Sequence, residues 1–206
     1  MAKQIIFATG NRDKMREIQK IMEDMDVEVI SMKDAGVAAD PEEDGTTFEE
    51  NALIKAKAVA ALTVGTEEYK EAIVLADDSG LEVDYLDKQP GVYSARFMGH
   101  DTSYDVKNNA ILDRLKGVPK EQRTARFVCV IAAVLPGGET RVVRETMEGY
   151  IAEEISGNNG FGYDPIFYLE EFGCTSADIS PEQKNEVSHR GKALRAMRKI
   201  LEESLR

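Results

Sequence analysis

The chain opens with a strand signal, Gln4-Ile5-Ile6-Phe7-Ala8, running directly into Thr9-Gly10-Asn11-Arg12-Asp13-Lys14. The short Thr-Gly-Asn turn predicts that the strand ends there and a helix starts, covering about 12–25. Met15, Ile18, Met22 and Met25 fall on one face of that helix. A strand that turns so tightly into a helix leaves backbone N–H groups aimed at one spot. The partial positive charge of the helix N-terminus makes that spot suited to an anion. Lys14 lies in the first turn, within reach of a phosphate. The loop lacks the G-x-x-x-x-G-K-[ST] spacing of a Walker A sequence, so a plain strand–turn–helix connection stays open.

The α/β pattern continues downstream. Val27 to Ile30 reads as a second strand, and residues 33–45 are acidic and turn-rich. A second helix opens at Thr46 or Thr47, each followed three residues later by glutamate, a capping box in two possible registers. Phe48, Ala52, Ala56, Val59 and Ala60 mark its packed side. Ile73 to Ala76 is a short strand that Leu81-Glu82-Val83 could resume past a turn at Ser79-Gly80. A loop over 86–104 leads to a helix over about 104–116. Thr124 to Leu135 and Thr140 to Met147 form a hairpin around Pro136-Gly137-Gly138. Ser180-Pro181-x-Gln183 opens another helix. Leu194, Met197, Leu201 and Leu205 stripe the last one. The expected fold class is α/β: one domain over 1–206, with a mixed twisted sheet flanked by helices and two lobes around a central cleft.

Charge narrows the function. A formal net charge of −12 repels DNA and RNA, and no local basic run overrides it. An anionic substrate would then need a focused cluster of Lys and Arg, helped by a divalent cation. No apolar run approaches the roughly 18 to 20 residues of a membrane span, and no signal-peptide pattern precedes Gly10. The two cysteines, Cys129 and Cys174, supply neither a disulfide framework nor metal-ligand spacing. The expectation is a cytoplasmic protein.

Four groups of residues carry chemistry. In Ala76-Asp77-Asp78-Ser79-Gly80 the two carboxylates point opposite ways, so one of them would face a given site. One Asp could hold Mg²⁺ and Ser79 could donate to a ligand oxygen; an Asx-turn ending a strand is the plain alternative. Glu42-Glu43 is either a solvated charge run or a source of a second metal carboxylate. Lys184, His189 and Arg190 offer donors for a carbonyl oxygen or phosphate, or else cover an ordinary helix surface. In Phe161-Gly162-Tyr163-Asp164 an aromatic could stack on a flat base while Asp164 accepts from a ring N–H, or the group is a buried aromatic corner.

Six segments occur in order: T-G-N-x-x-K-x-x-E at 9–17, F-x-E-N-A at 48–52, D-D-S-G-L at 77–81, G-x-Y-S-A-R-F at 91–97, G-F-G-Y-D-P-I-F at 160–167 and S-H-R-G at 188–191. The series resembles the Ham1/inosine triphosphate pyrophosphatase family. That resemblance implies an elongated fold, a homodimer, and Mg²⁺-dependent hydrolysis of XTP, ITP and dITP to the monophosphate and pyrophosphate, with Mn²⁺ as a possible substitute. It implies that Thr9, Gly10, Asn11, Arg12, Asp13 and Lys14 bind substrate together with Ser79, Phe161, Gly162, Tyr163, Asp164, Lys184, His189 and Arg190. Asp78 would be the proton acceptor and a metal ligand, and Glu42 the other ligand, with Glu43 next to it. Arg190 or Lys184 would donate to the 6-keto oxygen that separates hypoxanthine and xanthine from adenine. A Maf-type nucleotide pyrophosphatase preferring another base, and a nucleotide-binding sensor without activity, are the competing readings.

Overall fold

β1 (Lys3–Phe7) is buried from Ile5 onward with no alternation, which is how a strand covered on both faces reads. It pairs in parallel with β2 (Val27–Ser31), Ile5 opposite Val29, and with β3 (Ile73–Val83), Ile5 opposite Ile73. Residues 3–63 and 65–204 of this computed structural model are described, apart from the side chain of Asp13. Leu205 of the expected last stripe lies outside them.

α1 (Arg12–Ile21) is shorter than the expected 12–25. The Met25 N–H turns back to Met22 O at 2.9 Å and the Val27 N–H to Met25 O at 2.8 Å. This tight reversal delivers the chain to its parallel place beside β1. α2 (Phe48–Thr63) settles the capping register on Thr47: its hydroxyl accepts from the Glu50 N–H at 3.1 Å, and the Glu50 carboxylate accepts from the Thr47 N–H at 3.2 Å.

The largest departure is β3. Instead of turning at Ser79-Gly80, it runs unbroken for 11 residues through Asp77-Asp78-Ser79-Gly80. Gly80 is not among the left-handed glycines, so no tight turn forms. Both carboxylates stand inside a strand and point to opposite faces.

α3 (Tyr104–Arg114) is capped by Ser103. β4 (Thr124–Val134) and β5 (Thr140–Ile151) form the expected hairpin, with β5 extending four residues past Met147. Gly137 and Gly138 turn it at positive φ. Two short strands are new, β6 (Phe167–Leu169) and β7 (Cys174–Thr175), each antiparallel to the strand before it. The sheet order is β2-β1-β3-β4-β5-β6-β7. α4 (Pro181–Val187) starts with the Ser180–Gln183 capping box, and α5 (His189–Ser204) follows a single extended residue, Ser188.

Two compact units emerge. The first holds residues 1–78, 129–145 and 190–206; the second holds 79–128 and 146–189. The first packs Ile5, Phe7, Leu75 and Ile131 with Ile18 and Met22 of α1 and Leu194, Met197 and Leu201 of α5. The second packs Leu81, Phe127, Met147 and Phe167 with Ile111 of α3 and Leu115 just past its end. Among the described residues no helix is long and apolar enough to cross a membrane.

Candidate active site

In the first unit, the Thr9–Lys14 turn is built by its own side chains. Thr9 Oγ accepts from the Asn11 N–H at 3.1 Å, and Asn11 Oδ1 from the Lys14 N–H at 3.2 Å. Asn11 therefore acts as the N-cap of α1. Thr9 is buried, whereas Gly10, Asn11 and Arg12 are exposed. Asp13, expected at the site, has its side chain outside the described residues. The turn borders a cavity of about 210 Å³ lined by Thr9, Gly10, Lys14, Glu43, Lys55 and Asp77, among others.

The alternation of β3 splits its two aspartates between separate charge partners. Asp77, 2 % exposed, accepts from Lys14 Nζ at 2.9 Å through Oδ1 and 2.8 Å through Oδ2. Arg190 Nε lies 3.5 Å from Asp77 Oδ2, and its Nη1 donates to Glu17 at 3.1 Å. Burial alone would push Asp77 up, but Lys14, Arg190 and Lys55 hold its carboxyl far below the usual range. Arg190, one of the two donors considered for a keto oxygen, has its guanidinium beside two carboxylates, Glu17 and Asp77.

Asp78 is in a different state. Its Oδ1 lies 3.5 Å from Lys55 Nζ, and Lys55 also pairs with Glu43 at 3.1 Å. Asp78 Oδ2 is buried without a hydrogen-bond partner. Burial raises its pKa; Lys55 and, least of all, the neighbouring Asn51 amide oppose this, while Glu43 and Asp77 add to it. An orphaned carboxylate oxygen with a second carboxylate held at the same lysine fits a small divalent cation. Such a cation takes one or two protein carboxylates and completes its shell with phosphate oxygens and water. Among the described residues no group of three or more acidic, His or Cys side chains converges. Of the glutamate pair, Glu43 is half-buried and joins Lys55, whereas Glu42 is exposed. Lys55 escaped the sequence reading. Its signal was a lysine spaced i+3 from Ala52 and four before Val59, on the packed side of α2.

In the second unit, the 160–164 loop is knotted around Asp164, 2 % exposed. Asp164 accepts from the Phe161 N–H at 2.7 Å, from Ser176 Oγ at 2.7 Å and from Lys184 Nζ. Gly160 has φ +76°, and a Cβ there would stand 2.3 Å from Asp164 Oδ2, so only glycine lets the carboxylate close the loop. Phe161 is 48 % exposed with Lys184 Nζ 5.0 Å from its ring centre. It offers a flat apolar face next to a cation. Tyr163 is buried and faces inward. His189 is 8 % exposed and stacks on Phe127, centroids 4.9 Å apart. Ser79, the β3 residue after Asp78, is half-buried. The border between the units falls after Asp78 and again after His189. The sequence-predicted residues are thus brought together as two sets, Lys14 with Asp77 and Arg190 in the first unit, Phe161 with Asp164 and Lys184 in the second.

The Ham1 family model matches residues 5–200. A dITP/XTP pyrophosphatase of Bacillus subtilis is 45% identical over 200 residues, covering 97% of this chain and 98% of its own. The fold matches that of the Staphylococcus aureus Ham1 protein with a TM-score of 0.87 at 40% identity, covering 98% of this chain and 100% of the other. A HAM1 protein from Coxiella burnetii gives 0.86 at 36% identity, covering 98% and 99%.

Proposed function

Since this chain belongs to the Ham1 family, we propose that it is a nucleoside triphosphate pyrophosphohydrolase acting on dITP, XTP and ITP. The products are the nucleoside monophosphate and pyrophosphate, which clears such nucleotides from the pool. The observation carrying this reading is Asp78, a buried carboxylate with one oxygen unpartnered and its proton affinity raised. An ordinary aspartate, pKa about 3.9, is a weak base near neutrality. Burial makes this one a better base.

A water molecule attacks the α-phosphorus and gives its proton to Asp78. The bond from the α-phosphorus to the bridging oxygen breaks, and pyrophosphate leaves with the bonding electrons. Mg²⁺, with Mn²⁺ as an alternative, would be held by Glu43 and Asp78 and supply positive charge against the phosphate oxygens. Lys14 and Lys55 hold phosphate oxygens at the cavity by Thr9 and Gly10. Asp77, with Arg190 behind it, keeps the Lys14 ammonium over that cavity before substrate arrives. Phe161 stacks on the purine, and Lys184 donates to the 6-keto oxygen. Adenine presents an amino group there and leaves that donor facing a donor. We propose further that it works as a homodimer in the cytoplasm.

The test is pyrophosphate release from dITP, XTP, ITP, GTP and ATP, with Mg²⁺ and with a chelator. Release from the first three, weaker by about 10² or more for ATP and abolished by chelation, is expected. Preference for another base moves the chain to the Maf-type reading. Nucleotide binding without pyrophosphate release makes it a sensor.

A further inference from the structure

Residues 91–97 have no role in that reading, yet they are among the most firmly held in the second unit. Ser94 Oγ accepts from the Leu81 N–H at 2.8 Å and donates to Gly91 O at 2.6 Å. Two buried donors then hold successive carbonyls. The Tyr163 hydroxyl donates to Ser94 O at 2.7 Å, and Lys107 Nζ to Ala95 O at 2.6 Å. Lys107 is 1 % exposed, and its ammonium lies 4.8 Å from the centre of the Tyr104 ring, which meets Tyr163 edge-on. The next residue of α3, Asn108, is 2 % exposed and donates through Nδ2 to Gly162 O at 3.1 Å. Two neighbours on one helix therefore fasten both the 91–97 segment and the 160–164 loop.

Asn108 is an odd choice for packing alone. Its Oδ1 is buried with no hydrogen-bond partner, and leaving a buried acceptor unmet lowers stability. Leucine has almost the same shape and no such penalty. What leucine lacks is the donor to Gly162. That glycine sits at φ +69°, where the absence of a side chain leaves the peptide several accessible orientations. A hydrogen bond to its carbonyl selects one of them.

We propose that Asn108 is a positioning residue for base recognition: by fixing the Gly162 carbonyl it sets the Phe161 face and the Asp164 carboxylate in register for a purine. The inference rests on the assignment of the 160–164 loop to the base. Asn108→Leu should raise KM for ITP about tenfold and change kcat by no more than about twofold. Inhibition by inorganic tripolyphosphate, which has no base, should be unchanged, and the melting temperature should not fall, because loss of the bond to the half-buried Gly162 carbonyl is offset by removal of the unmet Asn108 Oδ1. Asn108→Asp, which replaces the donor by an acceptor at constant size, should raise KM likewise. An unchanged KM in both variants overturns the proposal. So does a parallel loss of nucleotide affinity, tripolyphosphate affinity and melting temperature, which would make Asn108 a residue of the fold only. Phe161→Ala separates the two layers. If it leaves KM for ITP unchanged, the base assignment fails and the proposal with it; if it raises KM while the Asn108 variants do not, only the proposal fails.

Discussion

The two sets of residues, one in each unit, are held by opposite means. In the first unit, charge holds charge: Lys14, Lys55 and Arg190 are fixed by Asp77, Asp78, Glu17 and Glu43. Around Asp164 in the second, the ion pair with Lys184 sits among hydrogen bonds to neutral groups, the Tyr163, Lys107 and Asn108 donors all ending on backbone carbonyls. The proposed function gives this difference a reason. A triphosphate is a compact set of negative oxygens for which summed charge suffices. A purine differs from its neighbours by one donor or acceptor, which only a directional bond can read.

If that division holds, variants of the two sets should fail differently. The largest effect is expected at Asp78, where Asp78→Asn should lower kcat by about 10³. Its melting temperature should not drop, because the variant removes a carboxylate destabilised by burial. Turnover within tenfold of the parent would take the proton acceptor away from this residue.

Asp77→Asn and Asp164→Asn sharpen the contrast in stability. The first leaves the buried Arg190 and Lys14 short of their shared anion, so denaturant titration should show a loss of about 3 kcal/mol. The second should cost about 1 to 2 kcal/mol, since it leaves one cation rather than two without its anion and the amide can still accept from the Phe161 N–H and bond Ser176 Oγ. Equal losses would erase the distinction between a charge-built and a hydrogen-bond-built set.

A smaller effect belongs to the second unit's surface. Arg126 grips Asp84 with two bonds of 3.0 Å and holds its carboxyl well below the usual range, with Lys88 and Thr124 adding to the shift. A depressed folded-state pKa contributes stability above the unfolded value of 3.8, and that contribution disappears as pH falls through the folded value. Asp84→Asn should therefore be about 1 kcal/mol less stable at neutral pH. The gap to the parent should close only in strong acid; a gap independent of pH would mean the ion pair is not its origin.

Local signals account for much of this fold. The capping boxes of α2 and α4, the Pro-Gly-Gly hairpin and the strand–turn–helix at Thr9 all depend on residues within four positions of each other, and all are present. β3 was misjudged because Asp77-Asp78-Ser79-Gly80 has the composition of a turn. Pairing partners tens of residues away, with Lys14, Lys55 and Arg190 neutralising the acids, keep it extended. β6 and β7 were missed because three- and two-residue strands have no period to detect.

The order of motifs was enough to assign the family, and with it the fold, since neither depends on which atoms meet. Tertiary structure decided the partnerships: Glu43 rather than Glu42 beside Lys55, Arg190 between Glu17 and Asp77, and Asp78 with one oxygen short of a hydrogen bond. These are outcomes of burial and of distances between remote segments. A residue's type states what it can bond to, and only the folded chain determines whether that partner arrives or water is shut out first.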